Sequence, residues 1–198
     1  MEPDQQKNII EIWKTIIGVQ MHFNDIEMRI RSVFVTLVLA LCASVGFLAD
    51  KKPAVIVGEI TIFFVTLVPL LGIVATYLFY FIDRHWYHRL LVGAVKHAIE
   101  LEKKYAETIP ELSLSDAIGR ESPVPARNFA TRMVAALVVS DPRYKKDKIF
   151  HSDAKIEFFY KSIFVLFCLI FLAVFLFGGI SIQGNSVAHF VKAALCSL

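Results

Sequence analysis

Apolar residues in this chain gather in three blocks, Val33–Ala49, Ala54–Ile82 and Ser162–Ile182. The stretches between them alternate polar and apolar positions at helical spacing. Each block can cross the roughly 30 Å hydrocarbon core of a bilayer as a helix, for which about 20 residues suffice. The central block, AVIVGEITIFFVTLVPLLGIVATYLFYFI, contains one acid, Glu59, and runs into DRHWYHRLL with no glycine or proline between Thr76 and Arg89. The pattern predicts one rod that leaves the bilayer unbroken. Arg84, His85, Trp86, Tyr87 and His88 follow the block as its interfacial anchor, since aromatic and basic side chains favour the headgroup layer.

Residues 4–32 predict an amphipathic helix running into the first span, with Ile9, Trp13, Ile16, Phe23 and Ile30 on one face. Gln20 and Glu27 fall on that seam and are expected to weaken it. Thr36, Ala40, Ala43 and Ser44 give the first span a stripe of small residues suited to close helix contact. Asp50-Lys51-Lys52-Pro53 is a short turn, so the first two spans are expected as an antiparallel hairpin. Past the second span, Tyr87, Leu91, Ala94, Ala98, Leu101 and Tyr105 keep a 3.5-residue spacing, the signature of a coiled-coil seam. Its natural partner is the seam of residues 9–30.

Further on, Pro110 closes this helix. Ser113 and Asp116 are read as capping a short helix that Gly119 ends, and Ser122-Pro123 as opening another to about Val139. Ser140-Asp141-Pro142 is a turn, the run Arg143–Lys148 is basic, and Ser152 or Asp153 caps the helix that enters the third span. The fold class is an all-α membrane protein: a two-span hairpin plus a third transmembrane helix, with a cytoplasmic helical stalk. Its parts are a cytoplasmic amphipathic helix (1–32), a transmembrane hairpin (33–82), a cytoplasmic helical region (83–157), a third span (158–182) and an outer tail (183–198).

Composition supports the membrane reading. The chain has 198 residues, of which 56% are hydrophobic and 20% charged, with net charge +3 and mean hydropathy +0.58. Lys and Arg number four before the first span, two in the first turn, fourteen between Asp83 and Lys161, and one after the third span. With three spans the split is eighteen against three, and basic residues stay inside, so the N-terminus is expected in the cytoplasm. The three cysteines form no disulfide framework, since Cys42 and Cys168 lie in spans and Cys196 in the tail. No secretory signal is read near the start.

Candidate chemistry is sparse. In the second span Glu59, Thr66, Ile73 and Tyr80 repeat every seven residues, with Pro69 and Thr76 on the adjacent line. They make a polar stripe about 100° wide that should face other helices or water. Glu59, Thr66, Pro69 and Thr76 are therefore pore-lining or gating candidates, with Pro69 expected to kink the helix near its middle. Glu59 has a second reading at the outer headgroups. Arg143, Lys145, Lys146 and Lys148 are candidates for lipid or partner contact. His85 and His88, three apart, match no tight metal set, and headgroup contact is the plainer reading. No motif of catalysis or cofactor binding is present, so no enzymatic activity, cofactor or metal is expected.

Three stretches, VQMHFNDIEMRIR (Val19–Arg31), DRHWYHRLLVGAVKH (Asp83–His97) and DPRYKKDKIFHSDAKIEFFYK (Asp141–Lys161), resemble the small membrane effectors of bacterial anti-phage systems. The likeness is to the transmembrane effectors that accompany retron reverse transcriptases. Those effectors are often described with two spans, so the third block departs from their pattern. The resemblance implies a toxin of the inner membrane, acting among membrane lipids; a homo-oligomer is expected because three helices enclose no water path of useful width. It also implies regulation by a reverse transcriptase with its RNA–DNA product, without sequence-specific nucleic-acid binding by this chain. The rival reading is a non-toxic anchor that recruits a cytoplasmic partner.

Overall fold

The structure is a computed structural model and describes residues 2–58, 60–182 and 185–186. Among the described residues, three helical stretches are long and apolar enough to cross a membrane: Pro3–Lys51, Phe64–Tyr105 and Ser152–Phe177. The chain divides into two compact units, residues 1–32 with 79–159 and residues 33–78 with 160–198.

Helix α1 (Pro3–Lys51) is continuous, and neither Gly18 nor Asn24-Asp25 interrupts it. Past the turn, the sequence expectation fails. Ala54 begins a β-hairpin instead of a span: β1 (Ala54–Val57) pairs antiparallel with β2 (Ile60–Phe63). The reason is local. Pro53 keeps α1 from running on, Val55, Ile56, Val57, Ile60, Thr61 and Ile62 are β-branched, and Gly58 takes φ +62° at the turn. The amide of Phe64 closes the hairpin by donating to the Pro53 carbonyl at 3.0 Å.

A single 3₁₀ turn (Phe64–Thr66) leads into helix α2 (Leu67–Tyr80). Pro69 is thus the third residue of α2. First-turn N–H groups have no helical partner, so Pro69 breaks no bond there and the expected mid-helix kink is not made. The rod then winds as a π-helix over Phe81–Tyr87 before resuming as α3 (His88–Tyr105).

Next come α4 (Leu114–Glu121), β3 (Val124–Pro125), α5 (Phe129–Val138), α6 (Pro142–Asp147), β4 (Ile149–Phe150) and α7 (Ser152–Val174). Gly119 lies inside α4, which ends two residues later. The helix expected from Ser122-Pro123 starts only at Phe129, because the second proline, Pro125, is held in a strand against Ile149. A second π turn (Phe175–Gly179) ends the third apolar helix. Strands β5 (Ile180–Ile182) and β6 (Asn185–Ser186) then join the hairpin in the order β1-β2-β5-β6.

In the unit of residues 1–32 and 79–159, the first half of α1 and α3 run antiparallel, so the two predicted seams meet. Trp13 reaches Glu102, Gln20 reaches the Ala94 carbonyl, and Glu27 reaches His88. Ala98 at the seam's centre is fully buried. Ile9, Ile109 and Leu112 close one end with Trp13 and Tyr105. A second small core joins Ala135 and Val138 of α5 with Tyr144, Phe150, Ala154 and Phe158.

The other unit packs apolar rings and small residues. Phe34 and Tyr160 lie 5.0 Å apart ring to ring, and Phe167 is fully buried. Gly72 of α2 sits so close to Phe167 that a Cβ there would stand 2.5 Å from the ring. The stripe of Thr36, Ala40 and Ala43 is exposed instead, and the first span packs through Phe34.

Candidate functional site

The residues that most distinguish this chain are charged and buried, and they collect in the unit of residues 1–32 and 79–159. Asp83, in the π-helical segment, is fully buried and accepts two bonds from Arg31, from Nε at 2.7 Å and Nη2 at 3.1 Å. Arg31 also pairs with Glu27, one helical turn before it, at 2.8 Å. Glu27 in turn meets His88 Nδ1 at 3.2 Å, and His88 Nε2 stands 3.6 Å from Asp153. Arg84 binds the Asp153 carboxylate at 3.1 Å and its carbonyl at 2.8 Å, with Glu157 at 3.8 Å. Four carboxylates, two guanidiniums and one imidazole thus bridge α1, the π-helical segment, the start of α3 and the start of α7.

The π winding makes this possible. The His88 amide donates to the Asp83 carbonyl, five residues back. In an α-helix, residues five apart differ by about 140° around the axis, and a wider turn reduces that angle. Asp83 and His88 consequently both address α1. Burying them without partners would be costly, since an ion taken from water must recover its hydration through close, bonded counter-charges. Asp83 recovers it through its two bonds from Arg31, while His88 meets Glu27 through Nδ1 alone and its buried Nε2 has no hydrogen-bond partner among the described residues.

Glu102 is a further buried carboxylate, outside that network and with a distinct task. It accepts the N–H groups of Ser115 (2.9 Å) and Asp116 (3.1 Å), at the start of α4, and the indole N–H of Trp13 (3.1 Å). Ser113 occupies the cap position but its side chain caps nothing, so the expected Ser113 cap is replaced by a carboxylate from α3. Burial alone would raise the Glu102 pKa. The donors from Ser115, Trp13 and Asp116 outweigh burial and hold it below the usual carboxylate range.

Asp141 follows the same logic. It caps α6 through the Arg143 amide at 2.8 Å, and Arg143 backbone and side-chain contacts overcome burial to lower its pKa. Arg143 also reaches Asp153 at 2.9 Å, joining the cap to the larger network. An open cleft of about 370 Å³ is bordered by Arg84, Arg143, Asp153 and Glu157.

The residues singled out by sequence divide in three ways. Arg84 and His88, read as headgroup anchors, turn into the network, because the π segment presents them to Glu27, Asp153 and Glu157. His85, Trp86 and Tyr87 stay at least partly open, with His85 against the rings of Tyr80 and Phe81. Thr66, Pro69 and Thr76 are buried in the apolar unit, and Thr76 donates to the Gly72 carbonyl at 2.7 Å. Glu59 lies outside the described residues. In the basic run Arg143 is committed to acids, whereas Lys145, Lys146 and Lys148 are exposed.

Sequence reasoning missed Asp83, Arg31 and Glu157, and read Glu27 and Gln20 as defects of the seam. They are its registry pins: Gln20 donates to the Ala94 carbonyl and to Ser115. The available signal was the seven-residue spacing of Trp13, Gln20 and Glu27, with Glu27/Arg31 and Asp153/Glu157 each four apart. Among the described residues, no three His, Cys, Asp or Glu side chains converge to hold a metal ion.

No family model, curated protein or solved structure matches this chain. The arrangement itself supplies fixed charge and registry, and it joins three separate helices through linked ion pairs.

Proposed function

We propose that this chain is an effector of bacterial anti-phage defence that sits in the inner membrane, N-terminus inside, and depolarises it when activated. Its charged helical unit is the cytoplasmic stalk and sensor, and a reverse transcriptase with its RNA–DNA product is the regulator that restrains it. The observation that carries the membrane part of this reading is the bareness of the apolar helices, and the defence part rests on the sequence resemblance. Only 6% of the apolar window of α1 and 11% of that of α7 are covered within the chain. Lipid or further copies must cover the rest.

The polar stripe fits a closed state. Thr66, Pro69 and Thr76 are packed inside, so a leak requires α2 to turn outward and several copies to assemble. The ion network is the natural lock on that movement, because α1, the π segment and α7 cannot separate without stripping Asp83 and Glu27 of their partners.

The test is membrane potential, read with a voltage-sensitive dye in bacteria after induction of this chain alone and then with its neighbouring genes under phage challenge. Collapse of the potential before loss of viability is the expected result. A potential sustained in both settings overturns the proposal in favour of a membrane anchor that recruits a soluble partner.

A further inference from the structure

Helix α5 hides one face and leaves the other bare. Ala135 and Val138 point into the small core with Tyr144 and Phe150. On the opposite side Phe129 and Leu137 are 77% and 82% exposed, with Met133 between them at 54%. These three lie four residues apart, so they form one line along the helix. The exposure is too large and too ordered for scattered surface apolars.

The surroundings of this line are basic. No acid occurs between Glu121 and Asp141. Arg127, Arg132, Lys145, Lys146 and Lys148 are exposed. Both acids of the adjoining α6 segment are engaged: Asp141 by Arg143, and Asp147 by the Ile149 amide at 2.9 Å. A groove of about 500 Å³ beside Phe129 and Met133 has Arg132 and Lys148 on its walls. The buried side of α5 packs near Phe158 of α7. Phe158 stands four residues before Ser162, where the apolar block of α7 begins, about 6 Å along a helix axis.

We propose that α5 and α6 form a docking surface for an anionic phospholipid bilayer. Phe129, Met133 and Leu137 enter the acyl boundary, as the apolar line of an interfacial helix does, while Arg132, Lys145, Lys146 and Lys148 meet headgroup phosphates. An acidic soluble protein would complement the charge as well. The bilayer is favoured because the chain is already anchored in it and α5 is tied to a helix that enters it. This inference rests on the membrane assignment alone and holds for either an effector or an anchor.

The experiment uses the full chain in nanodiscs, with Cys42, Cys168 and Cys196 replaced by alanine and a nitroxide placed by Leu137→Cys. Oxygen and nickel-chelate accessibilities are read in phosphatidylcholine discs and in discs containing phosphatidylglycerol. A label at Glu121→Cys serves as the aqueous control. The expected result is that the 137 label becomes oxygen-accessible and nickel-protected only with phosphatidylglycerol, while the 121 label stays aqueous. A basic residue contributes about fivefold at an anionic surface. The lysine triple variant, Lys145→Gln, Lys146→Gln and Lys148→Gln, is therefore expected to reduce docking about a hundredfold, returning the 137 label to water. A 137 label that is aqueous in both lipids overturns the proposal. So does one protected equally in both and in detergent, which marks a face covered by protein. Membrane-potential assays take no part in this test, so its failure leaves the effector reading standing.

Discussion

Asp83 and Phe167 are both fully buried, one in each compact unit, and they are held by opposite physics. Around Phe167, contact is made by shape: a glycine on α2 accepts the ring. Around Asp83, contact is made by charge, in a chain of pairs from Glu27 to Glu157. Apolar packing is set by fit and is largely indifferent to salt and pH. A buried ion network is not, because each partner depends on the charge of the other. The comparison shows two ways of burying a side chain in one chain, by shape in one unit and by counter-charge in the other.

The sharpest way to break the contrast is to remove one charge. Arg31→Ala leaves Asp83 and Glu27 uncompensated, and a loss of about 3–5 kcal/mol is expected in unfolding of the purified chain in detergent. The double variant Arg31→Met with Asp83→Leu should recover the part of that loss due to Asp83, since replacing a buried pair by apolar groups is often neutral, while Glu27 stays without its guanidinium. If the double variant is as unstable as the single one, the pair is not isolated enough to be the lock.

On the apolar side, Gly72→Ala drives a methyl group into Phe167, whose ring is enclosed and cannot swing away. An overpacking cost of about 1–3 kcal/mol is expected in the same unfolding assay. Raising salt should leave this value unchanged. A cost near zero would mean that α2 and α7 are free to part at this point.

A smaller effect is expected from Glu102→Gln, which weakens the cap on α4 and the tie to Trp13. The loss should be about 1–2 kcal/mol, with a change in Trp fluorescence.

The smallest expected effect is that of acid. Glu102 and Asp141 both have folded-state pKa values below the ordinary carboxylate range. Their contribution is therefore fully present above the unfolded value, near pH 4, and is lost as pH falls through the lower folded values. Amide exchange at the starts of α4 and α6 should accelerate in that acid window, while exchange in α2 stays unchanged. Equal acceleration in both units would erase the distinction drawn between them.

Much of the architecture could be read directly from residue pattern. Hydropathy located three apolar helices, and heptad spacing named Trp13, Ala98 and Tyr105 as seam residues before any pairing was known. The hairpin at Ala54–Phe63 escaped because hydropathy scores Val and Ile alike in strand and helix. Its β-branching, Pro53 and Gly58 were the discriminating features. Pro69 was misplaced for the same reason: its position in a helix depends on where that helix starts.

What the sequence by itself determined is which segments avoid water, since side-chain transfer energy depends on composition and not on neighbours. It also set which helix faces are apolar, because the 3.6-residue period is fixed by backbone geometry. Which carboxylate meets which guanidinium was decided only by the tertiary structure. Glu27, Asp83 and Asp153 are far apart in the chain and look like ordinary surface acids. They become one network only when α1, the π-wound segment and α7 are brought together, because the free energy of a buried charge depends on partners within a few ångströms.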